Sequence, residues 1–155
     1  VDDRPPIIAF SCSGPKDTLR NAEATGEFCW NLVSAELAAP MNESSAVVGA
    51  EVDEFALAGL SPADSRLVSA PHVAAARAVF ECRVSQILPL VDADGAPATS
   101  TVVFGEVVGV HLDTALLADW IFQTSLANPL LRAGGPGDYF TIREADRLDM
   151  RRPRA

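Results

Sequence analysis

The chain has 155 residues, 48% of them hydrophobic and 6% aromatic, enough to bury one sizeable aliphatic core in a single domain, residues 1–155. Its formal net charge of −9 excludes a nucleic-acid surface, which needs clustered Lys and Arg, so any anionic ligand must be held by a local pocket. Cys12, Cys29 and Cys82 are too few and too widely spaced for a disulfide framework or a metal site, no apolar run approaches the roughly 18 residues of a membrane span, and a cytoplasmic location is expected.

In chain order, Ile7-Ile8-Ala9-Phe10 reads as a core strand, met almost at once and without an initiator Met, so an N-terminal portion, including strands, is expected to be missing. The strand runs into the polar elbow Ser11-Cys12-Ser13-Gly14-Pro15-Lys16-Asp17-Thr18, which holds the only lysine of the chain. Asp17 or Thr18 is expected to cap a helix running to about Thr25, with Gly26 as its left-handed stop. Phe28 to Val33 alternates as a strand, with Phe28, Trp30 and Leu32 on one face. Ser34 to Met41 and Val52 to Gly59 are short helix candidates, the first begun by its serine.

Two long strands follow. Val79 to Val91 is rich in branched residues, with Pro89 marking an edge or bulge. Asp92-Ala93-Asp94-Gly95 is a hairpin turn, and Thr101 to Leu112 returns with two glycines that suggest close backbone approach or strong coiling. This is the pattern of a meander closing into a small barrel. Leu116 to Leu131 mixes helical and loop features, residues 133–138 are irregular, Tyr139 to Ile142 is a short strand, and Arg147 to Arg154 is a basic tail.

The elbow is the first candidate for chemistry. A helix start offers free amides and a positive dipole end, to which Ser11, Ser13 and Thr18 add hydroxyls and Lys16 a full charge. Phosphate binding is one reading of it; a solvated lysine beside a plain helix cap is the other. Cys12 alternates with Ser11 and Ser13, so it points inward and is inert.

The run S-x-S-G-x-K-D-T-x-x-N, followed by A-T-G-E-F-x-x-N-L-V, resembles the flavin reductase-like, FMN-binding split-barrel family. The likeness continues through Glu81-Cys82-Arg83, Gly105 to His111, Arg132-x-Gly134-Gly135-x-x-x-Tyr139 and Arg152-Pro153. It implies a mainly β fold, a six-stranded Greek-key split barrel with short peripheral helices, assembled as a homodimer. It also implies an FMN site in which Ser11, Ser13, Lys16, Asp17 and Thr18 meet the phosphate and ribityl chain. Asn21 matches the motif and serves either the ligand or the helix start. The R-P-I-x-W and N-x-A-P-x-S-x-F segments that help enclose the isoalloxazine in that family do not occur in these residues.

The activity implied is NAD(P)H-dependent flavin reduction, with NADH or NADPH as co-substrate and a monooxygenase as a partner. A flavin carrier or sensor without turnover, or a barrel that has lost its flavin, is the alternative. His111 is the catalytic candidate, positioning the nicotinamide or donating to a flavin oxygen, against a strand-end His bonded to backbone or water. Arg132 either shapes a lid beside the flavin with Gly134, Gly135 and Tyr139, or ties down its own loop through a carboxylate. His72 reads as a loop residue, and Arg147, Arg151, Arg152 and Arg154 as a solvated tail.

Overall fold

The computed structural model describes residues 1–153. Its chain order begins with β1 (Asp2–Asp3), β2 (Pro6–Ser13), α1 (Asp17–Thr25) and β3 (Glu27–Asn31). After β3 come α2 (Ala38–Glu43), α3 (Glu54–Leu57) and the short strands β4 (Pro62–Ala63) and β5 (His72–Val73). The long strands β6 (Ala78–Val91) and β7 (Pro97–Leu112) precede β8 (Leu117–Ala118), β9 (Ile121–Phe122), β10 (Leu130–Arg132) and β11 (Tyr139–Thr141).

The mainly β expectation holds. One antiparallel sheet runs in the order β1-β2-β7-β6-β3, so the described residues place five strands in it where six were expected. Its spine is the β6–β7 hairpin, closed where Asp92 N–H donates to Ala96 C=O at 2.9 Å. Three register shifts interrupt the pairing, one of them between Pro89 and Val91, and such irregularities coil a ribbon more tightly. Strand β7 starts at Pro97, four residues earlier than its branched residues suggest, because Pro97 pairs with Val91 of β6 and Ser100 with Ser13 of β2.

Close approach explains the two glycines of β7. Gly109 lies opposite Glu81 in the register, and a Cβ there would come within 3.3 Å of both the Glu81 carboxyl carbon and Leu67 Cδ1. Gly105 lies under the Phe28 ring, which meets Phe10 edge-on at 5.0 Å. Leu32, Ala78, Leu116 and Ala127 form a buried cluster with Phe122 packed against it. Trp30 stacks on Phe80 at 4.8 Å yet stays 39% exposed, so its strand face is only partly core.

Helical expectations after β3 shrink. Ser34 is buried, its backbone bridges to Pro129, and its side chain bonds to Glu36 and makes no cap hydrogen bond. A 3₁₀ turn, Ala35–Leu37, precedes α2. Helix α3 is a single turn, capped by Asp53 through the Phe55 N–H at 2.9 Å. Between Leu116 and Leu131 the described residues form no α-helix; the stretch is the β8–β9 hairpin and a 3₁₀ turn ending at Asn128 in the left-handed region. Strand β11 pairs with β10 across the irregular loop 133–138, as expected of that loop.

Candidate functional site

Strand β2 ends at the elbow because Ser13 is its last residue to pair with β7, facing Ser100 across a 3.0 Å hydroxyl contact. Helix α1 then runs over the expected residues and stops at Gly26, whose φ of 70° lets its N–H reach Ala22 C=O without Cβ strain. The start differs from expectation. Lys16, extended at ψ 155°, is the cap residue, and it makes no side-chain capping hydrogen bond. Asp17 is drawn instead into an ion pair with Arg20 one turn on, and Thr18 lies within the first turn.

The consequence is a helix start with spare donors. Leu19 and Arg20 N–H both turn to Lys16 C=O at 3.1 Å, whereas the Asp17 and Thr18 amides find no acceptor among the described residues. Lys16 makes no ion pair among those residues, and the Thr18 hydroxyl is exposed. Pro15, Lys16, Asp17, Thr18 and Arg20 form one wall of a cleft of about 580 Å³ whose other walls include Met41, Ser44, Ser45 and Glu54. Arg20 is a residue that sequence reasoning missed; its i, i+3 spacing from Asp17 was the available signal.

A tetrahedral dianion fits this donor set. The helix dipole, the Asp17 and Thr18 amides left without acceptors among the described residues, a hydroxyl and the lysine ammonium supply donors, and Arg20 pairs with Asp17, an acid of the same wall. Glu54, on the facing wall, is the remaining carboxylate there.

The other expected site residues are dispersed. Ser11 and Ser13 share the exposed face of β2 outside the cleft lining, while Cys12 between them is buried and its thiol pushed up by burial, as its inward, inert reading requires. Asn21 also lies outside the lining, its carbonyl accepting from the Thr25 hydroxyl at 2.8 Å. Arg132 ties down its own loop, donating to the carbonyls of Ala133, Gly135 and Asp138 at 2.9, 2.9 and 3.0 Å, with its guanidinium 5.1 Å from the Tyr139 ring. Carbonyls replace the carboxylate expected of that tether. Its cleft, about 520 Å³, shares Met41 and Ser45 with the elbow cleft.

His111 stands near the far end of β7, paired with Val79, eleven residues beyond the Ser100 that meets the elbow. It lines a separate cleft of about 400 Å³ with His72, Arg77 and Asp113. Its Nε2 bonds to Glu81 Oε1, and the His72 ring lies 4.9 Å away. Glu81, only 1% exposed, also accepts from the N–H groups of Arg66, Leu67 and Val68. Burial alone would raise its pKa, but these backbone donors and His111 outweigh burial and hold the carboxyl at about 2. In the C-terminal segment Arg147 pairs with Glu144 and Arg151 with Asp149; Arg154 lies outside the described residues.

The fold and this site define a small antiparallel β protein that carries an anion-competent strand, elbow and helix start. Residues 1–132 match the model of the flavin reductase like domain, and the chain belongs to that family. An uncharacterized protein of Deinococcus radiodurans is 36% identical over 96% of this chain and 66% of its own length. Nitrilotriacetate monooxygenase component B of Bacillus cereus superposes with a TM-score of 0.87 at 30% identity, over 96% of this chain and 74% of that one. A split-barrel-domain protein of Shewanella frigidimarina, 23% identical over 97% of this chain and 73% of its own, gives 0.82 and bears on the fold alone. The fold is the split barrel of these neighbours, and the chain spans about two thirds (66%) of the length of the Deinococcus relative. No helix among the described residues is long and apolar enough to cross a membrane.

Proposed function

We propose that the protein binds FMN with its phosphate at the start of α1 and acts as an NADH- or NADPH-dependent flavin reductase. The observation that carries this reading is the helix start without a side-chain cap, where among the described residues the Asp17 and Thr18 amides have no acceptor and Lys16 no ion-pair partner, beside one cleft. Lys16 supplies the charge for a terminal phosphate, the Asp17 and Thr18 amides orient it, and Arg20 keeps the Asp17 carboxylate turned aside. Ser11 and Ser13, on the strand leading into the elbow, are assigned to the ribityl chain. Asn21 and Arg132 take lesser parts, because the first lies off the cleft and the second is engaged by its own loop. FMN when bound supplies the hydride-accepting ring.

His111 is assigned to the nicotinamide side of the reaction. It shares no cleft with the elbow, which sits at the other end of β7, and a homodimer is the assembly that would let one chain serve a flavin held by another. Reduced flavin would pass to a monooxygenase, a partner suggested by the component B relative. The cytoplasm, where NADH and NADPH are supplied, is the expected setting. The flavin absorbance of the purified protein before and after adding NADH and NADPH tests the reading: bleaching supports a reductase, a yellow protein inert to both supports a carrier, and no flavin uptake contradicts both.

A further inference from the structure

Glu81 is a buried acid on a strand flanked by Val79, Phe80 and Cys82, and Gly109 across the register leaves room for its carboxylate. Oε1 accepts from Arg66 N–H at 2.9 Å, and Oε2 from Leu67 and Val68 N–H at 2.6 and 3.1 Å. His111 Nε2 completes the set at Oε1. An ionised carboxylate has no hydrogen to give, so the hydrogen of that bond sits on Nε2. Nδ1 of the same ring has no protein partner among the described residues, and the side chain, 26% exposed, borders the 400 Å³ cleft. His72 beside it is held differently: the Ser65 hydroxyl donates to Ala70 C=O at 2.6 Å and so faces His72 Nδ1 as an acceptor at 3.4 Å.

We propose that Glu81 is a positioning residue, which fixes His111 in the Nε2–H form and leaves Nδ1 as the ring atom that accepts a hydrogen bond from a ligand in the cleft. The carboxamide of a nicotinamide is the matching ligand class, since its N–H₂ donates while its oxygen accepts, and Arg77 on the same cleft is a donor for that oxygen. The ligand assignment rests on the flavin reductase reading above; the tautomer does not. The other role the contacts give Glu81 is anchoring residues 66–68, and anchoring alone would leave the imidazole tautomer and the turnover rate unmoved once the fold is kept.

Long-range ¹H–¹⁵N correlation of the imidazoles, recorded at alkaline pH, is the test. The wild-type protein should show His111 as a single Nε2–H tautomer with Nδ1 as the acceptor nitrogen. In Glu81→Gln the two tautomers should average and oxidation of NADH or NADPH should fall about tenfold, the scale of outer partners that orient functional histidines, with FMN affinity unchanged. An Nδ1–H or averaging His111 in the wild type overturns the proposal, and that measurement stands even where Glu81→Gln fails to fold. A folded Glu81→Gln protein that oxidises NADH or NADPH at the wild-type rate overturns it as well. A wild-type protein that shows the Nε2–H form but oxidises neither NADH nor NADPH supports the clamp and overturns the flavin reductase reading.

Discussion

The start of α1 and the Glu81 cluster are both polar constellations on the same sheet, and they spend their hydrogen-bonding capacity in opposite ways. At the elbow, Lys16 and Thr18 are exposed, and the Asp17 and Thr18 amides have no acceptor among the described residues. At Glu81, four donors converge on one carboxylate that water scarcely reaches. Unfilled donors near solvent cost little and wait for a ligand, whereas a buried charge persists only when its partners are built in. The first region is therefore where ligand affinity should respond to mutation, and the second is where stability should.

Removing the acid should give the largest effect on that contrast. Glu81→Ala leaves three amides and His111 facing an apolar gap, and a cost of about 3 to 5 kcal/mol is expected in urea unfolding, the scale for breaking a buried charged set. Acid should act in the same direction. Because the folded carboxyl lies at about 2, below its ordinary 4.5, its stabilisation is complete above 4.5 and is lost as pH falls from 4.5 through 2. Urea midpoints measured down that range should drop more steeply for the wild type than for Glu81→Gln.

A smaller loss is expected where the two long strands crowd the aromatic pair. Gly105→Ala drives a methyl into the Phe28 ring and to 3.2 Å from Cys82 Cβ, and overpacking of this kind costs about 1 to 3 kcal/mol. Thermal unfolding should show the loss while FMN affinity holds. At the elbow the balance reverses. Lys16→Ala should change stability by less than about 0.5 kcal/mol, as exposed surface substitutions do, yet weaken FMN binding by roughly 1 to 3 kcal/mol.

The difference between the regions also governs what the amino-acid sequence reveals. The elbow is written in local chemistry: a branched strand, two serines, Gly14-Pro15, and a helix closed at Gly26, so its bounds and lysine are readable without a structure. Its cap residue is not, because whether Asp17 turns back to the amides or forward to Arg20 depends on the pair formed one turn later. Glu81 is legible only as part of the family likeness, and its setting stays hidden for a different reason. Strand alternation says only that Glu81 faces away from Phe80 and Cys82, and the fold of residues 66–68 over it supplies three amides from 13 to 15 residues away. The same holds for Leu116 to Leu131, whose helical composition yields to pairing in β8–β9 and β10–β11 once the loop 133–138 turns back.

The central claim is that the start of α1 holds a flavin phosphate, and comparing FMN with riboflavin addresses it directly because the two differ only in that group. Fluorescence titration of the wild-type protein should show FMN bound about ten- to a hundredfold more tightly than riboflavin, and Lys16→Ala should remove most of that preference. Equal affinity for the two flavins in the wild type, or a preference that survives Lys16→Ala intact, would contradict it.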